Sequence, residues 1–279
     1  MELVTANKFS LEQLTHAYNQ TRIDYVVPMP MNVSRLREYT RIYNIDMGCS
    51  WIAKNGDVLY GLGMLGVRPN RAWITRLGVL PNGRRKGTGH CIMEALLDTA
   101  KQQKLNAVWL EVIKGNAPAH KLFSKLGFIE TRDLIVARRP PQANEKNIGF
   151  NDNIRQVTTL SHEEALILLS HRKNRPNWLN ETESFHNVKN LSGLLIELKN
   201  GGRGWVTYHA GLLQLTRIIV EVISGDPIEV SSALLSVLHD RHKRQDAITE
   251  NLFDDEVWEG FQKVGYFESF RRIEMINEI

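Results

Sequence analysis

Gly83-Arg84-Arg85-Lys86-Gly87-Thr88-Gly89 gathers three glycines and three cations into one short loop. It joins the apolar run Trp73–Leu80 to a helical stretch that begins near His90. Glycine lets the backbone turn its N–H groups inward, a following helix N-terminus adds partial positive charge, and the cationic side chains line the rim. A diphosphate suits such a loop. Downstream lie further residues able to do chemistry: Glu111 within Trp109-Leu110-Glu111-Val112, Asn116, His120, and a helical segment closing on Phe123 and Leu126-Gly127-Phe128.

These residues must be positioned by alternating strands and helices. Glu2–Thr5 reads as a short strand, and Ser10-Leu11-Glu12-Gln13 as a capping box opening a helix to about Thr21. Ser34 is the expected cap of a second helix through Tyr43. Ser50–Ala53 and Val58–Val67 form a hairpin around Lys54–Asp57, followed by strands at Arg71–Val79 and Ala107–Val112. Alternation of this kind indicates an α/β or α+β domain built on a mixed sheet with flanking helices.

A length of 279 residues points to two domains. The paired prolines of Arg138-Arg139-Pro140-Pro141, with the polar residues after them, mark the boundary: domain 1–139, linker 140–149, domain 150–279. The second part repeats the first. Thr75-Arg76-Leu77 has its echo in Thr216-Arg217-Ile218, and Phe123–Phe128 in Phe261–Tyr266, at separations of 51 residues from Arg76 to Gly127 and 48 from Arg217 to Gly265. Ile154–Thr158 reads as a strand, His162–His171 as a helix, Leu194–Leu198 with Gly204–His209 as a hairpin. Phe270–Ile276 alternates as a strand joining the sheet near the domain junction.

The net charge of +4 divides into +8 for residues 1–145 and −4 for 146–279. The cations of the first part are scattered among apolar segments without aromatic interleaving or zinc spacing, which argues against nucleic acid and for a small anionic ligand. Two cysteines give no disulfide framework and no metal-ligand spacing. No apolar run approaches the ~20 residues of a membrane helix and no signal-peptide pattern opens the sequence, so a cytoplasmic protein without membrane contact is expected.

Arg84, Gly87 and Gly89, followed by Asn116, Ala119, Leu122, Phe123, Gly127 and Phe128, resemble the acetyl-CoA-binding core of the GNAT superfamily of N-acetyltransferases. The likeness covers Trp73 to roughly Arg138, and the internal repeat resembles the tandem GNAT proteins. It implies that the strands at 73–79 and 107–112 splay apart, and that the backbone of Gly78, Val79 and Leu80 holds the pantetheine of acetyl-CoA. Arg84, Arg85, Lys86, Gly87, Thr88 and Gly89 would hold its diphosphate, Asn116 its arm, and Phe123 its sulfur end. Glu111 occupies the position of the general base in related ribosomal-protein N-terminal acetyltransferases; an amine of pKa near ~10.4 must lose a proton before it attacks. Many relatives carry tyrosine where this chain has Phe123, which cannot protonate the leaving thiolate. His120 is the candidate substitute.

The resemblance also places an acceptor lip at Asp24–Asn32, where Asp24 or Tyr25 could bind a cationic amine. Gly61-Leu62-Gly63-Met64-Leu65-Gly66 matches a dinucleotide fingerprint, but it lies within a strand, where close packing explains it better. In the second part the loop position reads Ser224-Gly225-Asp226-Pro227, which would repel a diphosphate and suggests a degenerate copy. The expected activity is acetyl transfer from acetyl-CoA to a primary amine of a small molecule or peptide, releasing coenzyme A without a metal. A non-catalytic acyl-CoA-binding module and a protein lysine or N-terminal acetyltransferase are the alternatives. The two halves are expected to pack within one chain, as a monomer or homodimer.

Overall fold

The computed structural model describes residues 1–25, 27, 29–141 and 152–279. Of the expected linker 140–149, residues 142–149 lie outside the described residues, as do Val26 and Pro28 of the expected acceptor lip. Two compact units result: Met1–Arg132 together with Ile273–Ile279, and Asp133–Arg272.

Unit 1 contains β1 (Glu2–Thr5), α1 (Leu11–Gln20), α2 (Val33–Ile42), β2 (Ile45–Asn55), β3 (Val58–Arg68), β4 (Arg71–Val79), α3 (Thr88–Gln102), β5 (Ala107–Ile113), α4 (Ala117–Lys125) and the first residues of β6 (Ile129–Arg139). Strands β1 to β5 lie in sequence order, antiparallel except for the parallel pair β4 and β5. Ser10 closes the expected capping box with Gln13. The cap of α2 is Asn32, whose side chain accepts from the Arg35 N–H at 2.8 Å, rather than Ser34. Either residue type suits a helix start, and the choice falls to the one whose backbone is extended.

Helix α3 lays Ile92, Met93, Leu96, Leu97 and Ala100 against Ala72, Ile74, Val108, Leu110 and Val112. Each large side chain fully buried there contributes about 1.5–3 kcal/mol. The glycines of β3 serve this contact. A methyl on Gly63 would come within 2.8 Å of both Ile92 and Leu96, and one on Gly61 within 2.7 Å of the Gly78 carbonyl. Met275, from the segment 273–279, is fully buried in the same core.

Unit 2 contains the rest of β6, then β7 (Ile154–Leu160), α5 (His162–Ser170), α6 (Thr182–His186), β8 (Leu191–Leu198), β9 (Arg203–Ala210), β10 (Gln214–Ser224), α7 (Pro227–Arg241), β11 (Asp246–Leu252), α8 (Glu256–Lys263) and the start of β12 (Phe267–Glu278). Its order is β6-β11-β10-β9-β8-β7, with β10 and β11 parallel. The internal repeat is visible in the backbone. Asn44 and Asn190 precede β2 and β8 at φ 56° and 57°, Arg76 and Arg217 sit in β4 and β10 at 56° and 55°, and Gly127 and Gly265 follow α4 and α8 at 88° and 92°. Arginine in a left-handed conformation costs roughly 1–2 kcal/mol, so its recurrence at the same strand position marks a built feature.

Candidate active site

The site in unit 1 begins where two parallel strands part. β4 and β5 pair from Arg71 with Ala107 to Ile74 with Leu110, and no further. Immediately beyond, β4 carries an extra residue relative to β3, with Arg76 in the bulge. A bulge bends and twists its strand, which turns the end of β4 away from β5. Leu80 donates its N–H to the Tyr60 carbonyl at 2.8 Å and accepts from the Gly83 N–H at 2.9 Å. Gly78 stands opposite Leu62 two residues earlier, so the same alternation aims its groups at β3. Thus Leu80, and with it Gly78, spend on the fold the groups expected to face a ligand. The Leu77 and Val79 carbonyls instead accept from the side chains of Arg22 and Arg84. Leu77 was not singled out from sequence because the direction of its carbonyl depends on the bulge, and arginine gives no sign of a positive φ.

The glycine loop follows at once. A tight turn at Pro81–Gly83 seats Gly83 on Tyr60, where a methyl would lie 2.7 Å from the Tyr60 carbonyl. Thr88 is buried and donates its hydroxyl to the Gly83 carbonyl at 2.8 Å, tying the two ends of the loop together. Between them Arg85 and Gly87 take φ 60° and 76°, and Gly87 serves as the N-cap of α3. The first intrahelical bond is donated by Cys91 to Gly87 at 3.0 Å, so the N–H groups of Thr88, Gly89 and His90 precede it and have no helical acceptor. Arg84, Arg85 and Lys86 are exposed around them, with the Lys86 ammonium 5.3 Å from the Tyr60 ring centre. Unpaired helix N–H groups and the helix dipole, with three cationic residues in the same loop, suit an anion of two or more charges.

The segment after α1 reaches into this opening. Arg22 donates to the Leu77 carbonyl at 2.9 Å and stacks 4.1 Å from the centre of the Tyr25 ring. Asp24 forms a two-pronged ion pair with Arg84, which holds its carboxyl below the usual carboxylate range. Arg84 also donates through Nε to the Val79 carbonyl at 3.2 Å. The Tyr25 hydroxyl accepts from Asn116 Nδ2 at 3.4 Å, while the Asn116 Oδ1 caps α4. Asp24 and Tyr25 are therefore engaged with Arg84 and Asn116.

On β5, Val108, Leu110 and Val112 point into the core. By alternation Trp109 and Glu111 lie on the opposite face, with Trp73 and Thr75 of β4. There Tyr39 shares a 2.6 Å hydrogen bond with Thr75, and Arg76 donates to the Tyr18 hydroxyl at 2.9 Å while lying 4.3 Å from the Tyr39 ring centre. Tyr43 and Trp73 complete an aromatic cluster with Tyr39. Burial raises the Tyr39 hydroxyl well above its ordinary pKa, and the nearby Glu111 carboxylate acts in the same direction. Glu111 thus faces the bulge side of the opening. Phe123 is buried beside Phe128, and His120 is turned to Glu130 at 2.6 Å.

The matching place in unit 2 is built differently. Parallel pairing of β10 and β11 covers only Gln214 with Asp246 and Leu215 with Ala247. The Ile218 carbonyl, counterpart of Leu77, accepts from the buried Thr249 hydroxyl at 3.0 Å. At the start of α7, Asp226 places its own carboxylate on the Glu229 N–H at 2.7 Å, and Asn153 and Asn200 hold the Glu229 carboxylate. Negative groups fill this helix start from within.

Residues 14–128 match the model of the Acetyltransferase (GNAT) family. Over 61 residues, 22% of the chain, it is 34% identical to the [Ribosomal protein bS18]-alanine N-acetyltransferase of Escherichia coli strain K12, and the match spans 41% of that protein's length. Two solved structures share the whole fold at 13% identity. A tandem GNAT protein from the clavulanic acid biosynthesis pathway superposes with a TM-score of 0.68, covering 99% of this chain and 98% of its own. A GCN5-related N-acetyltransferase from Sphaerobacter thermophilus gives 0.70, covering 99% and 95%.

Proposed function

We propose that this chain, a two-domain member of the GNAT superfamily, is an acyltransferase that moves an acetyl group from acetyl-CoA to a primary amine through one working site in unit 1. The observation that carries the reading is the end of β4–β5 pairing at Ile74 and Leu110, directly before a cationic glycine loop. The backbone of Leu77 and Val79 would hold the pantetheine as an added strand would. The N–H groups of Thr88 to His90, with Arg84, Arg85 and Lys86, would hold the diphosphate, and Asn116 the arm. When bound, acetyl-CoA supplies an activated acyl carbonyl and a thiol leaving group. Glu111 takes the proton that the amine must lose, from the face of β5 opposite the core. A thiol of pKa near ~8.5 departs largely as thiolate, so Phe123 at the usual position of an acid is compatible with turnover.

Unit 2, with Asp226 and Thr249 occupying the matching positions, is a degenerate copy without a donor site. Among acceptors, a protein N-terminal amine is favoured by the 34% identity to an alanine N-acetyltransferase. Calorimetric titration with coenzyme A, followed by free-thiol release from acetyl-CoA with small amines and alanine-initiated peptides, tests the proposal. Glu111→Gln is expected to lower release about 10²- to 10⁴-fold while keeping coenzyme A affinity. Binding without turnover on any amine would make the chain a binding module instead.

A further inference from the structure

Three consecutive features of the segment after α1 copy, group for group, what the donor site is proposed to hold. The Arg22 guanidinium gives a hydrogen bond to the Leu77 carbonyl, as an amide N–H of pantetheine would. The Asp24 carboxylate gives two oxygens to Arg84, as a diphosphate would. The Tyr25 hydroxyl takes the hydrogen bond that Asn116 can offer. Resting on the donor-site reading above, we infer that residues 22–25 are a built-in competitor: a latch that occupies the acyl-CoA slot and must be displaced each time the donor enters.

Three physical features suit a latch made to open. The Asp24 and Arg84 side chains are 55% and 40% exposed, so the pair that closes it is solvent-screened and weak. Arg22 Nε is buried without a hydrogen-bond partner among the described residues, a standing cost of the closed arrangement. The segment itself is held by single turn bonds, Arg22 N–H to Asn19 at 3.0 Å and Tyr25 N–H to Arg22 at 3.2 Å, rather than by a helix. Arg84 then changes partner, from the Asp24 carboxylate to a phosphate, with its charge satisfied in both states.

Asp24→Asn keeps the shape of the latch and removes its charge. Titration calorimetry with coenzyme A in low salt is expected to show roughly two- to fivefold tighter binding by D24N than by the wild type, the reverse of what loss of a ligand-binding residue would do. Hydrogen exchange of the wild-type protein is expected to speed up at residues 22–25 when coenzyme A is added, and this measurement decides should D24N fold poorly. Unchanged or weaker binding by folded D24N overturns the latch while leaving the donor site standing. Exchange at 22–25 that is unchanged or slower with coenzyme A does the same. No binding by wild type or variant sinks the donor site and the latch together.

Discussion

Gly87→Ala puts the glycine loop to its sharpest test. Gly87 holds φ 76° and ψ 2°, and a methyl added there meets nothing within 4 Å. The substitution therefore adds no clash, only backbone strain of about 1–2 kcal/mol. Because the loop is exposed while its ends are fixed by Thr88 on Gly83, the strain is relieved locally, by turning the Gly87–Thr88 peptide. Binding a diphosphate then has to restore the original turn. Coenzyme A affinity is expected to fall about 5- to 30-fold, the equivalent of that strain, with a midpoint of thermal unfolding lowered by less than ~4 °C. Pantetheine, which lacks the diphosphate, is expected to bind within about twofold of its wild-type affinity, since it would rest on β4. Gly89→Ala is the internal control. Its methyl would make 3.4 Å contacts with Leu122 and Val79, and alanine within a helix gains up to ~1 kcal/mol over glycine, so stability rises or holds and coenzyme A binding persists. Calorimetry on both variants with both ligands separates the cases. Equal weakening of coenzyme A and pantetheine by Gly87→Ala, or no weakening of either, refutes the assignment of this loop to the diphosphate.

Two further predictions concern unit 2. His239 is buried, shares a 3.0 Å hydrogen bond with Tyr266, and is pushed down to about 3, first by desolvation and then by the Arg139 and His242 charges. With the unfolded value near 6.5, the unfolded chain binds the extra proton, so stability is complete above pH 6.5 and falls as pH drops toward 3. About 2 kcal/mol is expected to go by pH 5. His239→Gln should remove that part of the difference between urea midpoints at pH 7 and pH 5, and an undiminished difference would exclude His239 as the cause. Asp226→Ala should cost about 1 kcal/mol through loss of the α7 cap without changing coenzyme A affinity in unit 1. A gain of a second coenzyme A site in that variant would contradict the degenerate reading.

How far the sequence revealed all this depended on what kind of information each feature carries. The glycine loop was legible as a strand-to-helix junction because glycine takes the left-handed turn that Gly87 makes before α3. Element order was legible from periodicity, and the repeat from paired tripeptides that land on matching left-handed arginines. The bulge was not, since Arg76 and Arg217 are held at positive φ by strand pairing around them rather than by their own preference. That bulge and the turn after β4 decide the direction of each carbonyl, so the sequence did not reveal that Leu80 bonds to Tyr60 and Gly83 while the Leu77 carbonyl meets Arg22. Asp24 read as a group for an amine because composition near a lip says nothing of a guanidinium 60 positions onward. The alternation of Phe270–Ile276 announced a strand, but not that residues 273–279 would belong with unit 1.

That last assignment bears on how the molecule comes into being. Met275 and its neighbours are translated after the whole of unit 2, yet they complete the hydrophobic interior beneath α3. The amino-terminal part, which usually matures first on the ribosome, here receives one segment of its core only after the other unit has been made. A gene fragment ending at the linker would encode every residue proposed to touch acetyl-CoA and still lack the piece that closes the core behind them.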